Sequence, residues 1–133
     1  MLVVDASVLV VALADDGPDG DQARARLRGE QLAAPELLDV EVASVLRRQV
    51  RLGATEPRRA VLALADLASA PIARASHQSL LGRCWELRDS LTIDDATYVA
   101  LAEALVVDFL TGDVRLTNAI GPRCRIELFR RTR

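Results

Sequence analysis

The chain has 133 residues, half of them apolar and only 3% aromatic, and its 17 basic and 19 acidic residues leave a net charge of −2. That length suits one compact domain, residues 1–133, with a core of Ala, Val and Leu, and no apolar run is long enough to cross a bilayer. Apart from His77, every basic residue is arginine; the absence of lysine excludes a P-loop nucleotide site and Schiff-base catalysis, and the mild acidity excludes a body that coats nucleic acid by overall charge.

Met1 leads into Leu2-Val3-Val4 without a basic leader, an extended apolar stretch or a small-residue cleavage site, so no export signal is read and a cytoplasmic location is expected. Residues 2–4 read as a strand ending at Asp5, followed by a helix over 6–14 that breaks at Asp15-Asp16-Gly17-Pro18. A second helix is expected over 22–28 and a weak strand over 31–34, with Pro35 opening the next helix, which runs over 36–52 and stops at Gly53. Thr55-Glu56-Pro57 offers an N-cap with proline just inside, opening a helix through Ser69, so residues 36–69 form a helical hairpin with its tip at Gly53-Ala54.

An edge strand over 71–73, helices over 78–88 and 94–105, an apolar strand over 106–110 and a last strand over 126–129 complete the chain. Strands separated by helices require crossover connections and favour a mainly parallel sheet covered on both faces. The expected fold class is therefore α/β. Cys84 and Cys124 have no nearby Cys or His and are expected to be reduced structural thiols, and His77 is given no role.

In open parallel sheets ligands bind outside the carboxyl ends of the strands, and Asp5 and Asp113 each follow an apolar strand. Either could instead be the N-cap of the helix that follows. Thr92-Ile93-Asp94-Asp95 similarly resembles a capping box. Glu41 lies between Leu38 and Val45 on the stripe that carries Val42, a face expected to pack inward, with no suitably spaced arginine on that face. A carboxylate placed there needs a partner, and a hard divalent cation such as Mg²⁺, with Mn²⁺ as a substitute, would provide one through oxygen ligands. Crowded carboxylates repel until metal arrives, so their pKa values should rise without it. The chemistry implied is metal-assisted phosphodiester hydrolysis, with one or two ions.

Four segments carry a family resemblance. Val-Val-Asp-Ala-Ser-Val-Leu-Val at the start, Leu-Asp-Val-Glu-Val-Ala-Ser-Val-Leu-Arg-Arg, Asp-Asp-Ala-Thr-Tyr-Val-Ala-Leu-Ala-Glu and Phe-Leu-Thr-Gly-Asp-Val-Arg-Leu resemble, in order, the four motifs of the PIN-domain ribonucleases, specifically the toxins of VapBC toxin–antitoxin systems. The resemblance covers nearly the whole chain. It implies a three-layer α/β/α domain with a protruding helical hairpin, and it puts the family's acidic tetrad, as catalytic and metal-binding residues, on Asp5, Glu41, Asp95 and Asp113. Ser7 and Thr111 match polar positions that shape the site. Asp94 stands where the family usually has an aromatic residue; the register of the following Ala-Thr-Tyr-Val-Ala-Leu-Ala selects Asp95 as the ligand and leaves Asp94 as a supporting polar residue. The resemblance further implies a homodimer, a cognate VapB-like antitoxin and structured RNA, tRNA or rRNA, as substrate.

Two other classes compete with this reading. A haloacid-dehalogenase-like phosphatase carries a second Asp two residues after its nucleophile, where this chain has Ser7, and a receiver domain needs a lysine. A catalytically silent binding module would keep the fold and use the hairpin only to hold a partner. Arg47, Arg48, Arg51, Arg58 and Arg59 form the densest basic region, read either as solvated helix faces and partner contacts or as an RNA surface; Arg123, Arg125, Arg130, Arg131 and Arg133 form a second, read either as an RNA contact or as a disordered tail.

Overall fold

In the computed structural model, which describes residues 1–132, five strands form one sheet in the order β3-β2-β1-β4-β5. These are β1 (Leu2–Val4), β2 (Leu32–Pro35), β3 (Ile72–Ala75), β4 (Asp108–Thr111) and β5 (Ile126–Leu128). Every neighbouring pair is parallel. The helices are α1 (Ala6–Ala14), α2 (Pro18–Leu27), α3 (Leu37–Arg51), α4 (Pro57–Ser69), α5 (Leu81–Glu86), α6 (Ile93–Leu105) and the short α7 (Val114–Thr117). Helices α1 to α4 pack on one another, while α5 packs on α6 and α6 lies on β1, β2 and β4.

Burial follows the sequence pattern. Central strand β1 is buried at all three residues, as a strand covered on both faces must be. Helices α1 and α6 are apolar nearly all round and form the interior, with Val8 through Ala12 and Ala96 through Ala102 buried. By contrast α3 and α4 bury single stripes, Leu38, Val42 and Leu46 on one and Ala60, Ala63 and Leu67 on the other, at helical spacing. The hairpin they form packs on α1 and leaves its tip, residues 51–54, exposed. The aromatic deficit is met by one well-placed pair, Tyr98 of α6 stacked on Phe109 of β4 with ring centroids 5.6 Å apart.

Several boundaries depart from the sequence expectation. Helix α2 starts at Pro18 rather than at residue 22, because Gly17 caps it and Asp19 and Asp21 suit its positive first turn. Pro35 ends β2, in register with Ala75, instead of opening a helix; the strand continues to the next amide, where Glu36 N–H donates to Ala75 O. Within Thr55-Glu56-Pro57, Glu56 takes the N-cap position of α4 without a side-chain bond, and the Thr55 hydroxyl donates to Gln49 Oε1 at the hairpin tip. The edge strand begins at Ile72 and leaves Pro71 outside. The helix expected over 78–88 divides into a 3₁₀ turn, Gln78–Leu80, and α5.

Val106 terminates α6 in the left-handed region at φ 57°, so β4 begins at Asp108 instead of at 106. The C-terminal segment is anchored: Phe129 is buried and its amide donates to Thr111 O, while the Thr132 amide and hydroxyl both donate to Asp19 Oδ1 at 2.7 and 2.6 Å. The disordered-tail alternative is therefore corrected through residue 132, and Arg133 lies outside the described residues. Both cysteines are free thiols, and burial pushes both above the usual thiol range, Cys124 to about 11. Among the described residues no helix is long and apolar enough to cross a membrane.

Candidate functional site

The site begins where β1 and β4 end side by side. Their register pairs Val4 with Leu110, and Asp5 N–H continues the ladder by donating to Leu110 O, so Asp5 and Thr111 emerge together at the carboxyl edge of the sheet. Thr111 is fully buried and Asp5 nearly so. The Thr111 hydroxyl donates to Asp5 Oδ2 at 2.6 Å and accepts the Asp113 amide at 3.1 Å. From the first turn of α1 the Ser7 hydroxyl donates to the same Asp5 oxygen at 3.1 Å and accepts the Gly112 amide at 2.9 Å. Ser7 and Thr111 thus hold Asp5 between two strand ends and tie it to the loop that carries Asp113. A Cβ on Gly112 would stand 3.2 Å from Ser7 Oγ, so the close approach favours glycine.

Glu41 arrives from the second turn of α3 and is half-buried. Its partner is a hydroxyl: Tyr98 OH donates to Glu41 Oε1 at 2.5 Å. This answers in part the sequence expectation that Glu41 lacks a partner, since Tyr98 supplies one hydrogen bond but no charge. Asp95 sits in the first turn of α6, where its amide donates to the Thr92 hydroxyl, one half of the expected capping box. Asp94 is exposed next to it.

The capping alternatives separate the two strand-end acids. The Asp5 side chain makes no well-formed capping bond to α1, although the amides of Ala6 and Ser7 at its start approach the carboxylate and lower its pKa. Asp113 does cap α7, accepting the Arg115 amide at 3.0 Å.

Electrostatics show which acids share a space. Burial pushes Asp5 above the usual carboxylate range, against the lowering effect of the Thr111 and Ser7 hydroxyls. Glu41 is raised by burial and by the charges of Asp5, Asp94 and Asp95, against its Tyr98 hydrogen bond. Asp95 is raised by burial and by the charges of Asp5 and Asp113. Asp113 is held low by its hydrogen bonds from Arg115. Each of the four therefore lies within electrostatic reach of another, and Asp94 reaches Glu41.

The donors are all oxygens, the set that hard divalent cations prefer, and three of the four acids are penalised for carrying charge without a cation. The residues fit a magnesium- or manganese-type ion in donor chemistry. As they stand, no three acidic, thiol or imidazole groups among the described residues are gathered closely enough to hold a metal ion. At Asp113 the guanidinium of Arg115 contacts both carboxylate oxygens, with Nε 3.1 Å from Oδ1 and Nη2 2.6 Å from Oδ2.

Sequence reasoning gave no role to two residues of this edge. Tyr98 is the only tyrosine in the chain and lies three residues beyond Asp95, a helical spacing that places both on one side of α6. Arg115 stands two residues after Asp113, in reach of an Asx-type turn.

The basic regions also divide. Arg59 is engaged by Asp16 and by Leu13 O, and Arg125 pairs with Asp108. Arg131 lies 3.7 Å from Asp19 and 3.9 Å from Asp15. Arg47, Arg48, Arg51 and Arg58 are exposed.

Fold and edge together define a parallel α/β domain with an oxygen-lined acidic site at the strand ends. A family model, PIN domain, matches residues 2–121. Ribonuclease VapC9 of Mycobacterium tuberculosis is 43% identical over 129 residues, spanning 95% of this chain and 96% of that protein. Among solved structures, the sarcin–ricin-loop-cleaving toxin VapC20 of Mycobacterium tuberculosis superposes with a TM-score of 0.65 at 19% identity, covering 90% of this chain and 97% of that one. VapBC2 of Rickettsia felis, bound to a promoter DNA fragment, gives 0.67 at 11% identity, covering 96% and 98%. The chain belongs to the PIN-domain family, within its VapC ribonuclease branch.

Proposed function

We propose that this single-domain protein is a metal-dependent endoribonuclease toxin that hydrolyses phosphodiester bonds in structured RNA, tRNA or rRNA, in the cytoplasm, and that a cognate VapB-like antitoxin neutralises it. The observation that carries the reading is the convergence of Asp5, Glu41 and Asp95 at one strand edge, all three raised by burial and Glu41 and Asp95 also by the charges of their acidic neighbours, Asp5 among them. The relatives named as ribonucleases and the structure of a toxin with its antitoxin support it. A homodimer is part of the same reading.

Asp5, Glu41, Asp95 and Asp113 would hold Mg²⁺, or Mn²⁺ in its place, with Asp94 beside them. Bound there, the ion would supply Lewis-acid stabilisation of the in-line transition state and activate water near neutral pH. The protein's own part is orientation. Thr111 and Ser7 both bond Oδ2 of Asp5 and so fix the plane of that carboxylate, and Tyr98 fixes Glu41. Arg48 stands seven residues beyond Glu41 on α3, on the same face and about 10 Å along the helix, a place suited to a neighbouring phosphate of a bound strand.

The direct test is cleavage of total bacterial RNA by the purified protein with Mg²⁺ or Mn²⁺ against EDTA, wild type beside a folded Asp5→Asn variant. Cleavage that needs both metal and Asp5 is expected. Cleavage that survives EDTA or the substitution would overturn the metal mechanism, and no cleavage of any RNA, with normal metal binding, would favour a silent binding module.

A further inference from the structure

Arg115 holds an unusual place for so exposed a residue. Its side chain is 81% accessible, yet its guanidinium lies on the carboxylate of a site residue, with Nη2 2.6 Å from Asp113 Oδ2 and Nε between Oδ1 and Oδ2 at 3.1 and 3.3 Å. The backbone amide of the same residue takes Oδ1 at 3.0 Å. Both oxygens of Asp113 are therefore engaged by Arg115. The positive charge of Arg115 also reaches Asp95. Among the leading influences on Asp5, Glu41 and Asp95 the one basic side chain is Arg115, and it acts on Asp95.

We propose that Arg115 is a displaceable counter-ion: in the metal-free protein it fills the place beside Asp113 that a divalent cation takes, and once displaced it turns outward to bind a phosphate of the RNA. This rests on the metal-nuclease reading given above. Three features support it. An ion pair this exposed is weak and readily exchanged. The contact is made from a four-residue helix whose neighbouring Val114 is itself exposed, so outward rotation meets no packing. A guanidinium at the rim of the acidic edge has the planar fork that matches a phosphate. The exchange also explains how four carboxylates can await a metal without all standing bare.

The opposing view is that Arg115 merely braces the loop and presets Asp113 for metal. The two views differ in sign. Isothermal titration of Mn²⁺ into the full-length protein and an Arg115→Gln variant should show the variant binding about two- to fivefold more tightly, the loss of a weak competitor. A brace would make the variant bind more weakly. In parallel, anisotropy of a labelled tRNA with Ca²⁺ in place of Mg²⁺ should give a log–log salt slope shallower by about 0.7–1 in the variant, the mark of one lost phosphate contact.

Unchanged or weaker Mn²⁺ binding overturns the exchange, and an unchanged salt slope overturns the phosphate contact. If both proteins bind Mn²⁺ equally, only the role of Arg115 falls. If neither binds Mn²⁺, the metal reading falls with it.

Discussion

The hydroxyl of Tyr98 donates to Oε1 of Glu41 at 2.5 Å, joining α6 to α3 across 57 positions of sequence. The same ring stacks on Phe109 of β4, so one side chain both fills the core and orients a site carboxylate. Tyr98→Phe keeps the stack and removes only the donor. It should cost about 1–2 kcal/mol in a denaturant titration. Because that hydrogen bond lowers the Glu41 pKa, its loss raises it further, and the acid limb of the pH–rate profile should move to higher pH. An unmoved limb would show that Glu41 does not titrate in the reaction.

Asp5→Asn should abolish cleavage and yet stabilise the metal-free fold at neutral pH. The folded pKa of Asp5 is raised, so its favourable contribution is present below its unfolded value near 3.8 and is lost as pH rises through the folded value. An amide avoids that loss while still accepting the Thr111 hydroxyl. Thermal melts at pH 7.5 in EDTA should show a rise of about 2–5 °C. A lower melting temperature would mean that the carboxylate's hydrogen bonds outweigh its burial.

Metal should stabilise the protein in a pH-dependent way. At a concentration one hundred times its Kd, Mn²⁺ should add about 2.7 kcal/mol, reversed by EDTA. Asp5, Glu41 and Asp95 all have raised pKa values, so protons compete with metal at higher pH than at ordinary carboxylates, and the gain should be smaller at pH 5 than at pH 7.5. Equal gains at the two pH values would argue that these acids do not bind the ion.

Thr111→Val removes a donor to buried Asp5 and the acceptor of the Asp113 amide with little change in shape. The expected cost is about 1–3 kcal/mol in urea, with weaker Mn²⁺ binding in a calorimetric titration. Normal metal affinity in the folded variant would remove Thr111 from the group that orients Asp5.

Gly20→Ala tests the fold apart from the site. A Cβ there would stand 1.8 Å from the Asp15 carbonyl oxygen, which is backbone and cannot move aside alone. Destabilisation of about 2–4 kcal/mol is expected by chemical denaturation. A neutral substitution would show that the α1–α2 connection can shift.

Much of this architecture could be read from local pattern. The apolar run at residues 2–4, the alanine- and leucine-rich helix over 6–14 and the hairpin stop at Gly53 depend on neighbours in sequence, and all appear in the structure. So does the strand-to-loop placement of Asp5 and Asp113, which follows from apolar strands ending in an acid. Boundaries slipped where tertiary pairing overrode local chemistry: Pro35 joined a strand because β3 lay beside it, and Val106 took a left-handed conformation to turn α6 into β4.

The sequence by itself determined the parallel α/β order, the acids that follow the strands and the family motifs, because these are encoded in spacings of a few residues. Only the tertiary structure decided the partners. Ser7 and Arg115 stand only two residues from the acids they contact, but that Glu41 meets Tyr98 and that Thr111 reaches the oxygen of Asp5 that Ser7 holds depend on how strands and helices from distant parts of the chain pack together. Hydrogen bonds reach only about 3 Å, so these partners are set by backbone positions that no local spacing specifies.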